Sequence, residues 1–238
     1  MVIIKKSRQY YFTRFVFLSL VLSAIFIGFK IYVAPAHIDP SAPYANVKGD
    51  YVLMFMQCLL GIVAMILPSR VEDKLKISIP SAMVFLYVLF LYCAIFLGEV
   101  GKFYYNVPHW DTMLHAFSGG MCGALGFAFV SYLNKTDKVP MSLSPFFVAL
   151  FAFCFAVTIG VFWEIYEFVF DAILQTNMQK FMLESGENLI GRSALADTMK
   201  DLIVDCVGAF VVSLVGFISL KKGNGWVQSL QFHKKKKV

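Results

Sequence analysis

Six long apolar stretches dominate this 238-residue chain and constrain its fold more than any other feature. A helix that crosses a membrane needs about 20 mostly apolar residues. The stretches lie at residues 15–33, 51–67, 81–99, 111–133, 145–170 and 198–220. The chain is 59% hydrophobic and 15% charged, whereas a soluble domain has about 25% charged residues. The sequence therefore predicts an all-α integral membrane protein, with one polytopic domain (1–238) of six transmembrane helices, and excludes soluble enzymes.

Lysine and arginine are concentrated on one side of this predicted topology. The N-terminus, the second and fourth gaps between spans, and the C-terminal tail carry most of the 21 basic residues. Because such residues favour the cytoplasmic side, both termini are predicted to be cytoplasmic, with 221–238 as a basic tail. Its four lysines, Lys234, Lys235, Lys236 and Lys237, are predicted to contact anionic lipid of the inner leaflet. No pattern of base-recognising residues indicates nucleic-acid binding.

Acidic residues inside the last three spans give the strongest functional signal. Asp111 and His115 are four residues apart and share a helix face. The fifth span carries Glu164, Glu167 and Asp171, and the sixth span begins with Asp197, Asp201 and Asp205. At 1.5 Å per residue, Glu164 lies about 10 Å below Asp171, and Asp205 about 12 Å below Asp197. These similar depths predict one acidic pocket in the outer half of the bundle.

Several of these acids also have purely structural interpretations. Asp111 and Asp197 are each followed by threonine, and either residue suits a helix N-cap. Asp171 is predicted to be a solvated helix end, and Glu99 to lie at the membrane interface. Pro68 is predicted to end the second span. Glycines in the fourth span (Gly119, Gly120, Gly123 and Gly126) predict close approach by another helix.

A buried carboxylate near a helix centre costs about 2.5–3.5 kcal/mol, so this pocket needs water, protons or a cation. Carboxylates with one imidazole suit a hard divalent ion such as Mg²⁺, Mn²⁺ or Ca²⁺. The predicted ligands are Asp111, His115, Glu164, Glu167, Asp197 and Asp201. An enzyme of this kind is a metal-assisted hydrolase or transferase on a lipid-linked or amphiphilic substrate. Glu164 or Glu167 would act as general base, His115 as proton shuttle, and Arg192 would hold an anionic head group.

Two other classes of function remain open from these residues. A cation- or proton-coupled transporter or flippase would also use intramembrane acids. The spans show no inverted repeat or broken helix pair, which such transporters commonly have. A non-catalytic membrane scaffold or sensor would bind a cation through the same acids for structural reasons.

Three segments resemble the YjdF-like family of uncharacterised bacterial inner-membrane proteins. They are HWDTMLH at 109–115, WEIYEF at 163–168, and DTMKD at 197–201 with a following Gly208-Ala209. The family pattern has Asp-x3-His, then Glu-x2-Glu, then Asp-Thr-x2-Asp. Its positions correspond to Asp111, His115, Glu164, Glu167, Asp197 and Asp201, with no counterpart for Asp205. The resemblance covers the last three or four spans, with a more distant similarity to VanZ-like membrane proteins. It implies a bacterial plasma-membrane location and supports the site without naming its chemistry.

Overall fold

The computed structural model describes residues 8–36, 46–134, 143–183, 185–223 and 225–234. Its helices are α1 (Arg8–Val33), α2 (Lys48–Leu75), α3 (Ser81–Leu91), α4 (Phe103–Asn106), α5 (Trp110–Asn134), α6 (Pro145–Leu174), α7 (Arg192–Lys222) and α8 (Trp226–Ser229). A π-helix (Tyr92–Val100) extends α3, and two short strands, β1 (Ile77–Ser78) and β2 (His233–Lys234), pair with each other. Among the described residues, six helical segments are long and apolar enough to span a membrane, which confirms the predicted all-α class.

Each predicted span lies within one of these segments, and the spans alternate in direction. The side chain of Gln9 at the start of α1 donates a hydrogen bond to the Ser81 carbonyl at the start of α3. Strand β2 near the C-terminus pairs antiparallel with β1, which lies between α2 and α3. The described residues nearest both termini therefore lie at one end of the bundle, which we call the proximal end. That this end is cytoplasmic stays a prediction.

The bundle consists of two three-helix halves. Helices α1, α2 and α3 with its π-helix pack around Val16, Leu20 and Cys58. In the second half, α5, α6 and α7 pack closely together, with Phe127 and Ala152 in the core. At the proximal end, an apolar cluster of Ile77, Ala128 and Phe232 joins the halves beneath the β1–β2 pair. Towards the opposite, distal end, the halves enclose a cavity.

The prediction that Pro68 ends the second span is wrong, because α2 continues through Pro68 to Leu75. A proline inside a helix has no N–H for the carbonyl four residues earlier. That carbonyl belongs to Ala64, and it accepts a hydrogen bond of 3.0 Å from the Tyr87 hydroxyl of α3. The neighbouring helix thus replaces the missing donor, so that the half-buried carbonyl stays paired.

Close contact between α5 and α7 depends on two glycines. A Cβ atom at Gly119 would lie 2.5 Å from the Asp205 carbonyl oxygen, and one at Gly208 would lie 2.3 Å from the Ala116 carbonyl oxygen. Only a residue without a side chain permits this approach, as small-residue packing in membranes predicts. Since Asp205 lies at this contact, its carboxylate comes within reach of α5.

The pairing of Tyr87 with the Ala64 carbonyl can be tested by a double-mutant cycle. Tyr87→Phe should lower the free energy of unfolding by about 1 kcal/mol, because it leaves that carbonyl without a donor. In a Pro68→Ala background the helix supplies its own N–H, so Tyr87→Phe should cost markedly less. Tyr32→Phe, at a position that is 87% exposed, is the matched control. Equal costs of Tyr87→Phe in both backgrounds, measured by denaturant titration, would contradict this account.

Candidate functional site

A cavity of about 320 Å³ lies between the two halves and opens towards polar residues at the distal end. The distal lining includes Glu99, Asp111, His115, Glu167 and Lys180. Most of the remaining lining comes from apolar residues of α2, α3, α5 and α6, and Asp205 of α7 and a few uncharged polar side chains complete it. The ionisable side chains of the cavity are therefore grouped at one end, at the level where the sequence predicts an acidic pocket.

His115 of α5 lies at the centre of this group and is buried. Its Nε2 atom is 3.8 Å from Asp111 Oδ1, one turn earlier on α5, and 3.9 Å from Asp201 Oδ2 on α7. One potential ligand atom from each of the three residues lies within 4.8 Å of the others. Two ligands on opposite sides of an ion bonded at about 2.1 Å are about 4.2 Å apart. The three side chains are thus spaced to share one cation.

Asp205 holds the other nitrogen of the imidazole. His115 Nδ1 lies 3.3 Å from Asp205 Oδ2, and Ser118 Oγ lies 3.2 Å from Asp205 Oδ1. An ionised carboxylate only accepts hydrogen bonds, so this contact favours the tautomer with its proton on Nδ1 and with the Nε2 lone pair towards Asp111 and Asp201. Gly160 of α6 makes room for the carboxylate, because a Cβ atom there would lie 2.6 Å from Asp205 Oδ2.

Two carboxylates in this region are buried without a full set of partners. Glu164 of α6 is 4% exposed, and neither of its carboxylate oxygens has a hydrogen-bond partner among the described residues. Asp201 is 2% exposed, and its Oδ1 atom likewise has no partner in the described part of the chain. Glu164 lies within electrostatic range of His115 and Asp201. Because an unpaired buried carboxylate is costly, these oxygens are available to a ligand or a cation.

Lys180 brings a positive charge into contact with this cluster. It lies in the 175–191 segment between α6 and α7, forms an ion pair with Asp111, and has its Nζ atom 3.5 Å from Asp197 Oδ2. The ammonium also lies 5.2 Å from the centre of the Tyr104 ring, in cation–π range. Burial lowers the pKa of Lys180, but Asp111 and Asp197 raise it more, so that the net pKa exceeds the usual lysine value. Lys180 therefore stays charged at physiological pH.

The loop that carries Lys180 is organised by Asp171, which corrects a prediction. Asp171 is not a solvated helix end but is 7% exposed. Its carboxylate accepts hydrogen bonds from the Thr176 hydroxyl at 2.6 Å and from the backbone N–H groups of Met178 and Gln179 at 2.8 and 2.9 Å. These bonds turn the chain back over the distal end after α6, so that Lys180 faces the acids.

The N-cap interpretations of Asp111 and Asp197 are also wrong. Helix α5 begins at Trp110, so Asp111 is already inside its first turn, and α7 begins at Arg192, more than a turn before Asp197. Glycine at 191, with φ +61°, precedes α7 and allows the early start. Both aspartates are thereby free to pair with Lys180 instead of capping backbone N–H groups.

The structure brings together most, but not all, of the residues predicted for the site. Glu167 lines the cavity on α6, and Glu99 reaches it, half-buried, from the π-helix. Arg192 is exposed at the first residue of α7 and does not line the cavity. Its role in holding an anionic head group stays a prediction. Asp205, which matches no position of the family pattern, is in contact with His115.

The arrangement defines a class of protein: a membrane protein whose described residues form six long apolar helical segments, with a buried acidic site among the last three. The family model described as "Predicted membrane protein (DUF2238)" matches residues 12–222, so the chain belongs to that family. This membership confirms the resemblance to YjdF-like membrane proteins and extends it to all six spans. The similarity to VanZ-like proteins stays a prediction.

One relative is a protein of Thermotoga maritima named "Uncharacterized protein". It is 29% identical over 152 residues, which cover 62% of this chain and 64% of the relative. The chain thus matches slightly less than two thirds of that relative's length. No solved structure matches the chain.

Removal of the Lys180 ammonium should destabilise the protein. Lys180→Met leaves Asp111 and Asp197 without their shared partner, and it should lower the free energy of unfolding by about 1–3 kcal/mol. The loss should be constant from neutral pH up to about 10.4, the pKa of lysine in the unfolded chain. It should shrink at higher pH, because the raised pKa of Lys180 stabilises the folded protein only while the ammonium stays protonated.

Lys200→Met on the exposed face of α7 is the matched control and should change stability little. Denaturant titration of both variants at several pH values makes the measurement. A Lys180→Met protein as stable as the Lys200→Met protein would contradict the assigned ion pairs.

Proposed function

We propose that this protein is a metal-assisted hydrolase or transferase that acts on a lipid-linked or amphiphilic substrate. The proposal rests on the arrangement of the carboxylates around His115. Its Nε2 atom faces Asp111 and Asp201, Nδ1 is held by Asp205, and the unpaired carboxylate of Glu164 lies within electrostatic range. A metal-ligating histidine usually donates its second nitrogen to a carboxylate in this way. Two carboxylates and one imidazole suit Mg²⁺, Mn²⁺ or Ca²⁺.

Each residue of the site has a chemical task in this proposal. Asp111, His115 Nε2 and Asp201 hold the ion, which would polarise a phosphoryl or carbonyl oxygen and acidify bound water. Asp205 fixes the tautomer and the orientation of His115. With Nε2 engaged as a ligand, proton transfer falls to Glu167, which lines the cavity, or to Glu164. Asp197 keeps Lys180 beside Asp111, where its ammonium can contact an anionic head group.

The cavity favours this function over transport. A transporter needs polar groups along a path through the membrane. Here the carboxylates, His115 and Lys180 are at the distal end, and the cavity lining continues towards the proximal end mostly as apolar side chains, with a few uncharged polar groups such as the Tyr87 hydroxyl. An ion would meet no charged partner among those deeper lining residues.

We infer that this is a bacterial plasma-membrane protein, which the Thermotoga maritima relative supports. The basic residues favour an orientation with the proximal end in the cytoplasm. The site then faces the outer leaflet. Lys234 lies in β2, while residues 235–237 of the predicted lipid-binding cluster lie outside the described residues.

Metal binding is the first test of the proposed function. The protein in nanodiscs should bind about one Mn²⁺ per chain, measured by equilibrium titration. Asp205→Asn should weaken Mn²⁺ binding by about 10–100-fold, the usual effect of removing a carboxylate that orients a histidine ligand. Asp201→Asn, which removes a proposed ligand, should weaken it at least as much. Glu187→Gln, at an exposed acid of the distal loop, is the control and should leave affinity unchanged.

Catalysis is then measured as phosphate release from an alkyl phosphate by the Mn²⁺-loaded protein in liposomes. Release should stop with chelator and in Asp201→Asn. No Mn²⁺ binding, or equal binding by Asp201→Asn and Glu187→Gln, would contradict the proposal. Mn²⁺ binding accompanied by ion flux and no phosphate release would favour the transporter instead.

A further inference from the structure

The deeper part of the cavity has a shape that the proposed chemistry does not by itself explain. From Asp111 to Cys122 along α5, and from Glu167 to Ala156 along α6, the lining of the cavity extends over 11 residues. At 1.5 Å per residue this is about 16 Å, half of a hydrocarbon core of about 30 Å. A cavity of about 320 Å³ over that length is elongated, which suits an extended hydrocarbon chain better than a compact ligand.

The polar groups that reach this deeper part already have partners within the protein. The Tyr87 hydroxyl donates to the Ala64 carbonyl, and the Gln57 amide lies 3.9 Å from the Met178 sulfur in hydrogen-bond contact. Ser118 Oγ lies within hydrogen-bond distance of two acceptors, the His115 carbonyl oxygen at 2.9 Å and Asp205 Oδ1 at 3.2 Å. The walls therefore offer little to a polar molecule, which would lose its hydration there without replacement. A hydrocarbon chain loses nothing by entering.

We propose that the cavity binds the single hydrocarbon chain of an anionic amphiphile, such as an alkyl or prenyl phosphate. The chain extends from the distal end towards Ala64, Tyr87 and Met121. The head group lies at the distal end, beside the Lys180 ammonium and the cation held by Asp111, His115 and Asp201. The anionic head rests on the proposed function, because without a cation this end is dominated by carboxylates.

The volume agrees with this occupant. Pockets for small ligands are about 300–1,000 Å³, are mostly apolar, and hold a few convergent polar groups. The cavity is at the lower limit of that range. A chain that leaves lipid for a protein cavity gains little from burial itself, because lipid is equally apolar. The cavity should therefore select by length and width: it orients the head group and excludes a second chain.

Photolabelling in nanodiscs tests the position of the chain. The probe is dodecyl phosphate with a diazirine at the chain end, applied with Mn²⁺ and mapped by peptide mass spectrometry. We expect labels near Ala64, Tyr87 and Met121. A hexyl phosphate probe with the same group should instead label residues nearer the rim, such as Leu114. Unlabelled dodecyl phosphate should compete for labelling, whereas dodecyltrimethylammonium should not.

Variants that fill the deep end of the cavity provide the matched comparison. Ala64→Trp should abolish labelling of Tyr87 by the dodecyl probe. Val63 is the neighbouring residue on the outer face of α2 and is 67% exposed, so Val63→Trp should leave that labelling unchanged. Met121→Trp repeats the test from α5, and it decides the question if Ala64→Trp does not give monodisperse protein. Labels confined to outward-facing residues such as Val63, or labels unchanged in the tryptophan variants at positions 64 and 121, would show that the hydrocarbon chain does not bind in the cavity. Equal competition by dodecyltrimethylammonium would show that the site does not require an anionic head group.

The labelling and Mn²⁺ titrations separate this inference from the proposed function. If residues deep in the cavity are labelled even with chelator, in a protein that does not bind Mn²⁺, the cavity binds the hydrocarbon chain and the metal-assisted chemistry is ruled out. If only outward-facing residues are labelled in a protein that binds Mn²⁺, only the binding of the hydrocarbon chain in the cavity is ruled out.

Discussion

The structure depends on the compensation of negative charge inside an apolar bundle. Asp111, Glu164, Asp197, Asp201 and Asp205 come from three helices and meet below the distal surface. Ionised carboxylates at such a depth are expensive unless cations or hydrogen bonds offset them. Among the residues that the structure describes, the Lys180 ammonium and the His115 imidazole lie against these carboxylates. Within that same part of the chain, Glu164 and Asp201 keep carboxylate oxygens without a hydrogen-bond partner. This remaining deficit is the physical reason to expect a bound cation.

The geometry of the site follows from backbone packing. Gly119 and Gly208 let α5 and α7 approach so closely that His115 reaches both Asp201 and Asp205, one turn apart on the partner helix. Gly160 leaves the space on α6 that the Asp205 carboxylate fills. Larger residues at these positions would separate the helices and open the cluster. The halves meet closely at the proximal end and part towards the cavity, which gives a polar site with an apolar extension.

The lengths of the apolar stretches and the spacing of the acidic residues were sufficient to predict the spans and much of the candidate site. Asp111, His115 and Asp201 follow from helical spacing within apolar runs, because the helix period fixes which side chains share a face. The same spacing places Asp205 on the face of Asp201, although it matches no position of the family pattern. Lys180 could not be predicted, since a loop residue has no period and its position depends on the hydrogen bonds that Asp171 makes with the chain after α6.

Pro68 shows a related limit of sequence reasoning. The residue breaks helices because it leaves a carbonyl unpaired, and the sequence alone cannot reveal that Tyr87 of another helix pairs with that carbonyl. The prediction that Asp171 is a solvated helix end failed for the same reason, because the groups that donate hydrogen bonds to its carboxylate follow the end of α6. In both cases the deciding interaction joins residues whose contact depends on the fold.

In the proposed site, α5 and α7 would hold one cation through Asp111, His115 Nε2 and Asp201. Electron spin echo envelope modulation of the Mn²⁺-loaded protein measures this directly, because a coordinated imidazole gives a nitrogen modulation. We expect the modulation of one histidine, present in the wild type and in His109→Gln and absent in His115→Gln. A spectrum without nitrogen modulation, or one unchanged by His115→Gln, would rule out this cation site.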